Sequence, residues 1–196
     1  AGKIVAPGLV DIHAHFYYGV KSNCVDPRKD FIPSGTTTAA DGGTAGSKNY
    51  FNLRDLIIKP SELHLYEFLH IANLGQIGAP GLRTLDFADV DACARMIERN
   101  RDTIVGVKVQ MPGVRSPFFD DWQELLRRTV EVAQRTQTRV LCHIDGGIDF
   151  DVLFDTLNPG DIVTHCFEGH APNFIGDDGK VRSAVRKGME IGRAHV

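Results

Sequence analysis

Two histidines, His13 and His15, stand one residue apart at the end of the apolar run GLVDI. Successive strand side chains point to opposite faces, so the two imidazoles point the same way. Such a pair can grip a divalent cation, with Asp11 and the nearby backbone orienting the rings. A lone HxH is more often two half-buried strand histidines, and the rest of the chain decides between the readings. Lys108 in VGVKVQ, His143 in RVLCHID and His165 in DIVTHCFEG each close a further apolar, β-branched run. Four strand ends that each carry a nitrogen-bearing side chain point to a metal site.

The elements that must position these residues alternate. Apolar, β-branched runs predict strands over 9–12, 36–40, 65–72, 104–109, 139–143 and 161–165. Helical spacing covers 49–58, ended by Pro60, and 87–100, where Ala88, Cys93, Met96 and Ile97 recur on one side. The clearest helix is 120–135. There Trp122, Leu125, Leu126, Val130 and Ala133 share a face, with Arg127, Arg128 and Glu131 expected on a solvated surface. Alternating strands and helices predict a parallel sheet with crossover helices. No GxGxxG follows the first strand, which removes the dinucleotide-binding variant of an open sheet. Functional groups at the C-terminal ends of several strands favour an α/β fold of the TIM type, a (β/α)8 barrel. Such a barrel takes about 250 residues. The 196 residues here would supply an incomplete one, six of its eight units.

Hydrophobic residues make up 42% of the chain and charged residues 24%, which suits one packed core. A formal net charge of -3 without a basic stripe predicts neither a nucleic-acid nor a membrane partner. No apolar run approaches the roughly 20 residues of a membrane helix. Cys24, Cys93, Cys142 and Cys166 show no CxxC or framework spacing, which fits free thiols in a reducing cytoplasm. Cys142 and Cys166 adjoin two candidate ligands, but alternation turns each away from its histidine. The chain opens without Met or a secretory leader pattern and reads as part of something larger. Its last residues, EIGRAHV at 190–196, read like a translated sequencing adapter and are set aside, His195 with them. Residues 1–189 are expected to form the partial barrel.

PGLVDIHAH resembles the first-strand signature of the amidohydrolase superfamily, and a lysine followed by two histidines at later strand ends is similar to its binuclear members. The likeness runs along nearly the whole chain to Met189. It implies two divalent metal ions, zinc by default. His13 and His15 would hold the more buried ion, His143 and His165 the more exposed one, and Lys108 would bridge both as a CO2-derived carbamate. An ammonium cannot ligate a cation, whereas a carbamate offers one oxygen to each of two ions about 3.5–4 Å apart. Imidazoles also suit cobalt, nickel or iron, and a carboxylate-like bridge tolerates manganese. The resemblance further implies hydrolysis of an amide or other acyl bond by a metal-bridging hydroxide, with an aspartate of an eighth strand carrying the proton. That aspartate is expected beyond residue 196, so these residues alone are expected to be inactive. The full-length enzyme is expected in the cytoplasm, acting on a small acyl substrate, with a homo-oligomer as one form open to it.

Within the superfamily the nearest group is deacetylase-like and related to dihydroorotases, on Tyr17 and on the segments TTAADGGTAG, VGVKVQ and DIVTHCFEG. A dihydroorotase carries Arg at the place of Tyr17 to clasp a substrate carboxylate bidentately. Tyr17 therefore speaks against dihydroorotate and is assigned to substrate binding, together with His170 in the loop after His165. An esterase or lactonase on the same metal site, and a metal-binding relative without catalysis, are the alternatives. Asp41 ends the second strand at a glycine-rich turn, where bonding to nearby amides is a simpler role than orienting a ligand. Gly42, Gly43 and Gly46 serve loop geometry, since no P-loop lysine follows. His64 and His70 fall in or near the third strand, and His70, among apolar neighbours, reads as a satisfied core or strand-end histidine.

Overall fold

The computed structural model describes residues 2, 4–77, 84–113, 116, 119–166, 174–176, 178–190 and 194–195. His170 lies outside them. Seven strands form one sheet in sequence order: β1 (Leu9–Ala14), β2 (Thr36–Asp41), β3 (His64–His70), β4 (Ile104–Gln110), β5 (Arg139–His143), β6 (Ile162–Thr164) and the two-residue β7 (Ala194–His195). Every neighbouring pair is parallel. The six longer strands curl into an incomplete TIM-type barrel, as the alternating pattern predicts. Strands that share one direction and stand in sequence order place all their C-terminal ends on one rim.

Six α-helices accompany the sheet: α1 (Pro27–Ser34), α2 (Tyr50–Leu53), α3 (Val90–Arg99), α4 (Trp122–Thr136), α5 (Phe150–Thr156) and α6 (Ser183–Glu190). The helix expected over 49–58 is two pieces, α2 and a π-helical turn at Arg54–Ile58, closed by the Lys59 amide donating to the Arg54 carbonyl at 2.8 Å. The one over 87–100 begins with a 3-10 turn at Leu85–Phe87, and its α-helical part starts only where the Asp89 carboxylate accepts from the Ala92 amide. Helices α1, α5 and α6 were not expected. Each spans about two turns, too few for an apolar period to show, and α1 contains Pro33. Residues 194 and 195, set aside as adapter-derived, nonetheless pair with Ile162 and Val163. The exposed edge of β6 offers unpaired amides and carbonyls to any extended segment that reaches it.

Two apolar layers hold the sheet. Outside it, Val107, Val140 and Val163 of the strands and Ile97, Leu125, Leu126 and Leu153 of the helices are fully buried in one cluster. A second, small cluster joins Ala40, Phe68 and Leu141, with Tyr66 and Ile162 against them. Ala40, Phe68, Leu141 and Ile162 precede Gly42, His70, His143 and Thr164 by two positions, so they lie on the same concave face one layer below the rim. The expected face of α4 is the buried one. Arg128 departs from the expected solvated surface: it is half-buried, and its Nη1 donates to the Leu85 carbonyl at 2.7 Å, tying α4 to the 3-10 turn. No disulfide joins any of the four cysteines. Among the described residues no helix is long and apolar enough to cross a membrane.

Leu126 presses the centre of α4 on the sheet with no exposed surface. We expect Leu126→Ala to lower unfolding free energy by about 2–5 kcal/mol in chemical denaturation; an unchanged midpoint would put α4 outside the cooperative core.

Candidate metal centre

Four strands deliver the candidate ligands to the rim. The ring centroids of His13 and His15 are 5.6 Å apart, those of His13 and His165 5.1 Å, and those of His143 and His165 4.2 Å, all packed edge to face. Lys108 is fully buried beside them, its Nζ 3.2 Å from His13 Nε2. The structure thus brings together all five residues expected as ligands. His165 arrives differently from the others. Strand β6 ends at Thr164, and His165 adopts a left-handed backbone with φ of 69°, uncommon for a residue with a side chain. That turn overrides strand alternation and returns the ring to the concave side.

Two threonines that the sequence did not single out orient the first pair. The Thr44 hydroxyl meets His15 Nδ1 at 2.7 Å, and the Thr164 hydroxyl meets His13 Nδ1 at 2.9 Å. Asp41 stands 3.7 Å from His15 Nδ1 and is held by the amides of Phe16 and Thr44 at 2.8 and 2.7 Å. It is therefore the amide-bonded turn aspartate that the sequence suggested, with a candidate ligand histidine beside it. With Nδ1 engaged, Nε2 of each ring is the nitrogen left for a ligand role. Asp11 turns elsewhere, its carboxylate accepting from the His13 backbone amide at 3.0 Å.

The turn after β2 makes the room. A Cβ on Gly42 would lie 2.3 Å from His13 Cδ2, and one on Gly43 would lie 2.4 Å from Lys108 Cγ. Gly43 also has φ of 91°, a conformation that glycine alone adopts freely. The loop glycines read as geometry from the sequence are thus the wall against which the lysine and a histidine lie.

Burial sets the protonation. It pulls the pKa of His13 down to about 3 and that of His143 to about 2, with the Lys108 charge adding to both. Burial likewise pulls Lys108 down to about 7. For Asp41, burial alone would raise the pKa, but His15 and the two amides outweigh it and hold the carboxyl below its ordinary value. On the outer face its register partner Glu67, fully buried and overlooked in the sequence, is pushed well above the carboxylate range by burial and by Asp41. A glutamate inside the apolar run HLYEFLH was the available signal.

The donor set suits divalent cations: neutral imidazoles, and a buried amine that can become anionic by taking up CO2. The fit is one of donor chemistry. Among the described residues no three His, Cys, Asp or Glu side chains are already arranged around one point. Tyr17 is buried, and its hydroxyl donates to the Asn49 carbonyl at 3.5 Å, beside α2. A surface cavity lined by Asp149, Phe150, Arg182 and Arg186 among others contains none of the rim residues.

No family model matches the chain. It is similar to proteins named deacetylase from Agrobacterium fabrum and from Brucella anthropi, each 29% identical over 181 residues. Those matches take in 90% of this chain but 44% of the relatives, so the chain spans less than half their length. Among solved structures it is similar to a dihydroorotase, with a TM-score of 0.79 and 29% identity over 85% of this chain and 53% of that one. An adenine deaminase superposes with a TM-score of 0.88 over 96% of this chain and 51% of its own, and at 22% identity shows the shared fold. Together with the site, these likenesses support the amidohydrolase superfamily as the class.

Two outcomes are expected for the metal-free protein. Unfolded histidines take up protons below about pH 6.5, which His13 and His143 refuse when folded, so stability falls as pH drops from 6.5 toward 3. Between about pH 7 and 10.5 the unfolded lysine is protonated and folded Lys108 is not, so stability rises with pH across that window. Urea midpoints should show the upper rise in the wild type and not in Lys108→Met; equal slopes in both would contradict it. Separately, Gly43→Ala should cost about 1–3 kcal/mol in the same assay through backbone strain, with the Lys108 clash added.

Proposed function

We propose that the protein is a metal-dependent hydrolase of an amide or other acyl bond, deacetylase-like, with a small acyl compound as substrate. The convergence of His13, His15, His143, His165 and Lys108 on one rim carries this reading, and likeness to proteins named deacetylase supports it. His13 and His15 would hold one ion through Nε2, His143 and His165 a second, and Lys108 would join the two as its carbamate. Two divalent cations, zinc by default, supply Lewis acidity that polarises a carbonyl and makes water a nucleophile near neutral pH.

The chain's own residues prepare that chemistry. Thr164 fixes the His13 ring, and Thr44 with Asp41 fixes that of His15. Their low pKa values keep the His13 and His143 rings unprotonated at neutral pH, as a ligand nitrogen must be. The layer of Ala40, Phe68 and Leu141 lies beneath the site on the concave face, so substrate would approach from the rim. Tyr17 puts a phenol, buried against α2, where a guanidinium would clasp a carboxylate. It is assigned to shaping the substrate side, and His170 to contact with substrate on its sequence position alone. The proton carrier is assigned to an aspartate outside residues 1–196.

Elemental analysis of the complete protein should find about two ions per chain, the content of a two-metal hydrolytic site. Chelation should abolish hydrolysis of N-acetylated amino acids or sugars, and zinc should restore it. Lys108→Ala should lose most of both ions, and full metal content in that variant would sink the bridging role. Turnover of acyl esters without any turnover of amides would move the assignment to an esterase.

A further inference from the structure

His70 does not fit the satisfied core histidine that its sequence context suggests. It is 1% exposed, and its Nε2 is one of three buried side-chain atoms among the described residues without a hydrogen-bond partner. Its Nδ1 accepts from the Ala72 amide at 2.9 Å. A ring nitrogen that accepts carries no proton, so the proton of the neutral ring sits on Nε2. That atom is consequently a donor and not a free ligand nitrogen. A buried donor needs an acceptor.

The geometry indicates which acceptor. His70 on β3 is the register partner of Lys108 on β4, so the two side chains leave the sheet on the same face. The point that a Gly43 Cβ would occupy lies 2.4 Å from Lys108 Cγ and 3.1 Å from His70 Cδ2, the ring atom bonded to Nε2. The ring atom next to the orphaned donor and the lysine stem thus both lie against the Gly43 turn. An ammonium on Lys108 could only donate, and two facing donors repel. A carbamate there presents two anionic oxygens.

We propose that His70 is a positioning residue for carbamylated Lys108, its Nε2–H donating to one carbamate oxygen. This rests on the proposed metal-hydrolase reading, since that reading supplies the carbamate. In the step itself the Lys108 amine attacks dissolved CO2, and a nitrogen–carbon bond forms. One C=O electron pair moves onto oxygen, and the proton shed by nitrogen goes to bicarbonate or buffer. The His70 bond holds the carbamate plane fixed and favours the carbamate over the free amine. It also settles which oxygen is partly occupied by a protein donor.

The test uses the complete protein with 13C-bicarbonate, reading the carbamate carbon by NMR and metal content by elemental analysis. Wild type should show a carbamate signal that Lys108→Met lacks. His70→Phe should need about tenfold more bicarbonate for half-loading, the scale of one charge-assisted hydrogen bond. His70→Gln, which keeps a donor near the Nε2 position, should recover most of that loss. A folded His70→Phe that loads CO2 as wild type does would overturn the proposal. If that variant fails to fold, histidine-labelled wild type decides: bicarbonate should shift the His70 Nε2–H resonance and slow its exchange. A carbamate signal with an unmoved His70 resonance overturns the positioning role alone. A wild type without any carbamate signal overturns the carbamate assignment and the role of His70 with it.

Discussion

An amine buried without a carboxylate in contact is the constraint on which the rim of this half-barrel depends. Lys108 has no exposed surface, makes no ion pair among the described residues, and meets the ring nitrogen of His13. Removing an ammonium from water costs several kcal/mol even after the surroundings relax, and the group responds by releasing its proton near neutral pH. The neighbouring imidazoles respond to burial in the same direction. The result is a cluster in which His13, His70 and His143 stay neutral beside an amine whose pKa is pulled down to about 7. Such a cluster gains most from a cation that brings its own charge.

The sheet sorts its ionisable groups by face. Alternation sends His70, Lys108 and His143 to the concave side, and Asp41 and Glu67, paired in register, to the outer side under the helices. Asp41 is the last residue of β2, where the chain turns and its carboxylate comes within reach of His15. Asp41 thereby orients His15, and neither acid forms an ion pair with the amine. The same turn supplies the two glycines whose missing side chains give His13 and Lys108 their places.

Much of this was legible because strand ends are punctuated. Each of the runs ending in Lys108, His143 and His165 is apolar and β-branched up to one polar residue, and β5 matches its expected bounds of 139–143. What escaped was decided by tertiary position. Nothing local to Thr44 or Thr164 says that its hydroxyl will meet an imidazole 29 or 151 residues away. The two-turn helices were too short to display a period, and the π-turn at Arg54–Ile58 differs from an α-turn only in which carbonyl each amide reaches. His70 was half legible: its apolar neighbours gave its burial, but its unmet donor depends on which ring nitrogen the Ala72 amide finds. Tyr17 was visible as a departure from arginine, yet the direction of its hydroxyl toward α2 was not.

The left-handed residue at the end of β6 changes how much chemistry a short segment can carry. A regular strand can offer only every second side chain to one face, so neighbours in sequence serve opposite sides. Here Thr164 steadies His13 while the very next residue lays its ring against both His13 and His143. Two adjacent codons thus serve one surface. An inserted or deleted residue at this point would separate the hydroxyl from the ring it accompanies, so the spacing of the pair carries as much information as the identities of its members.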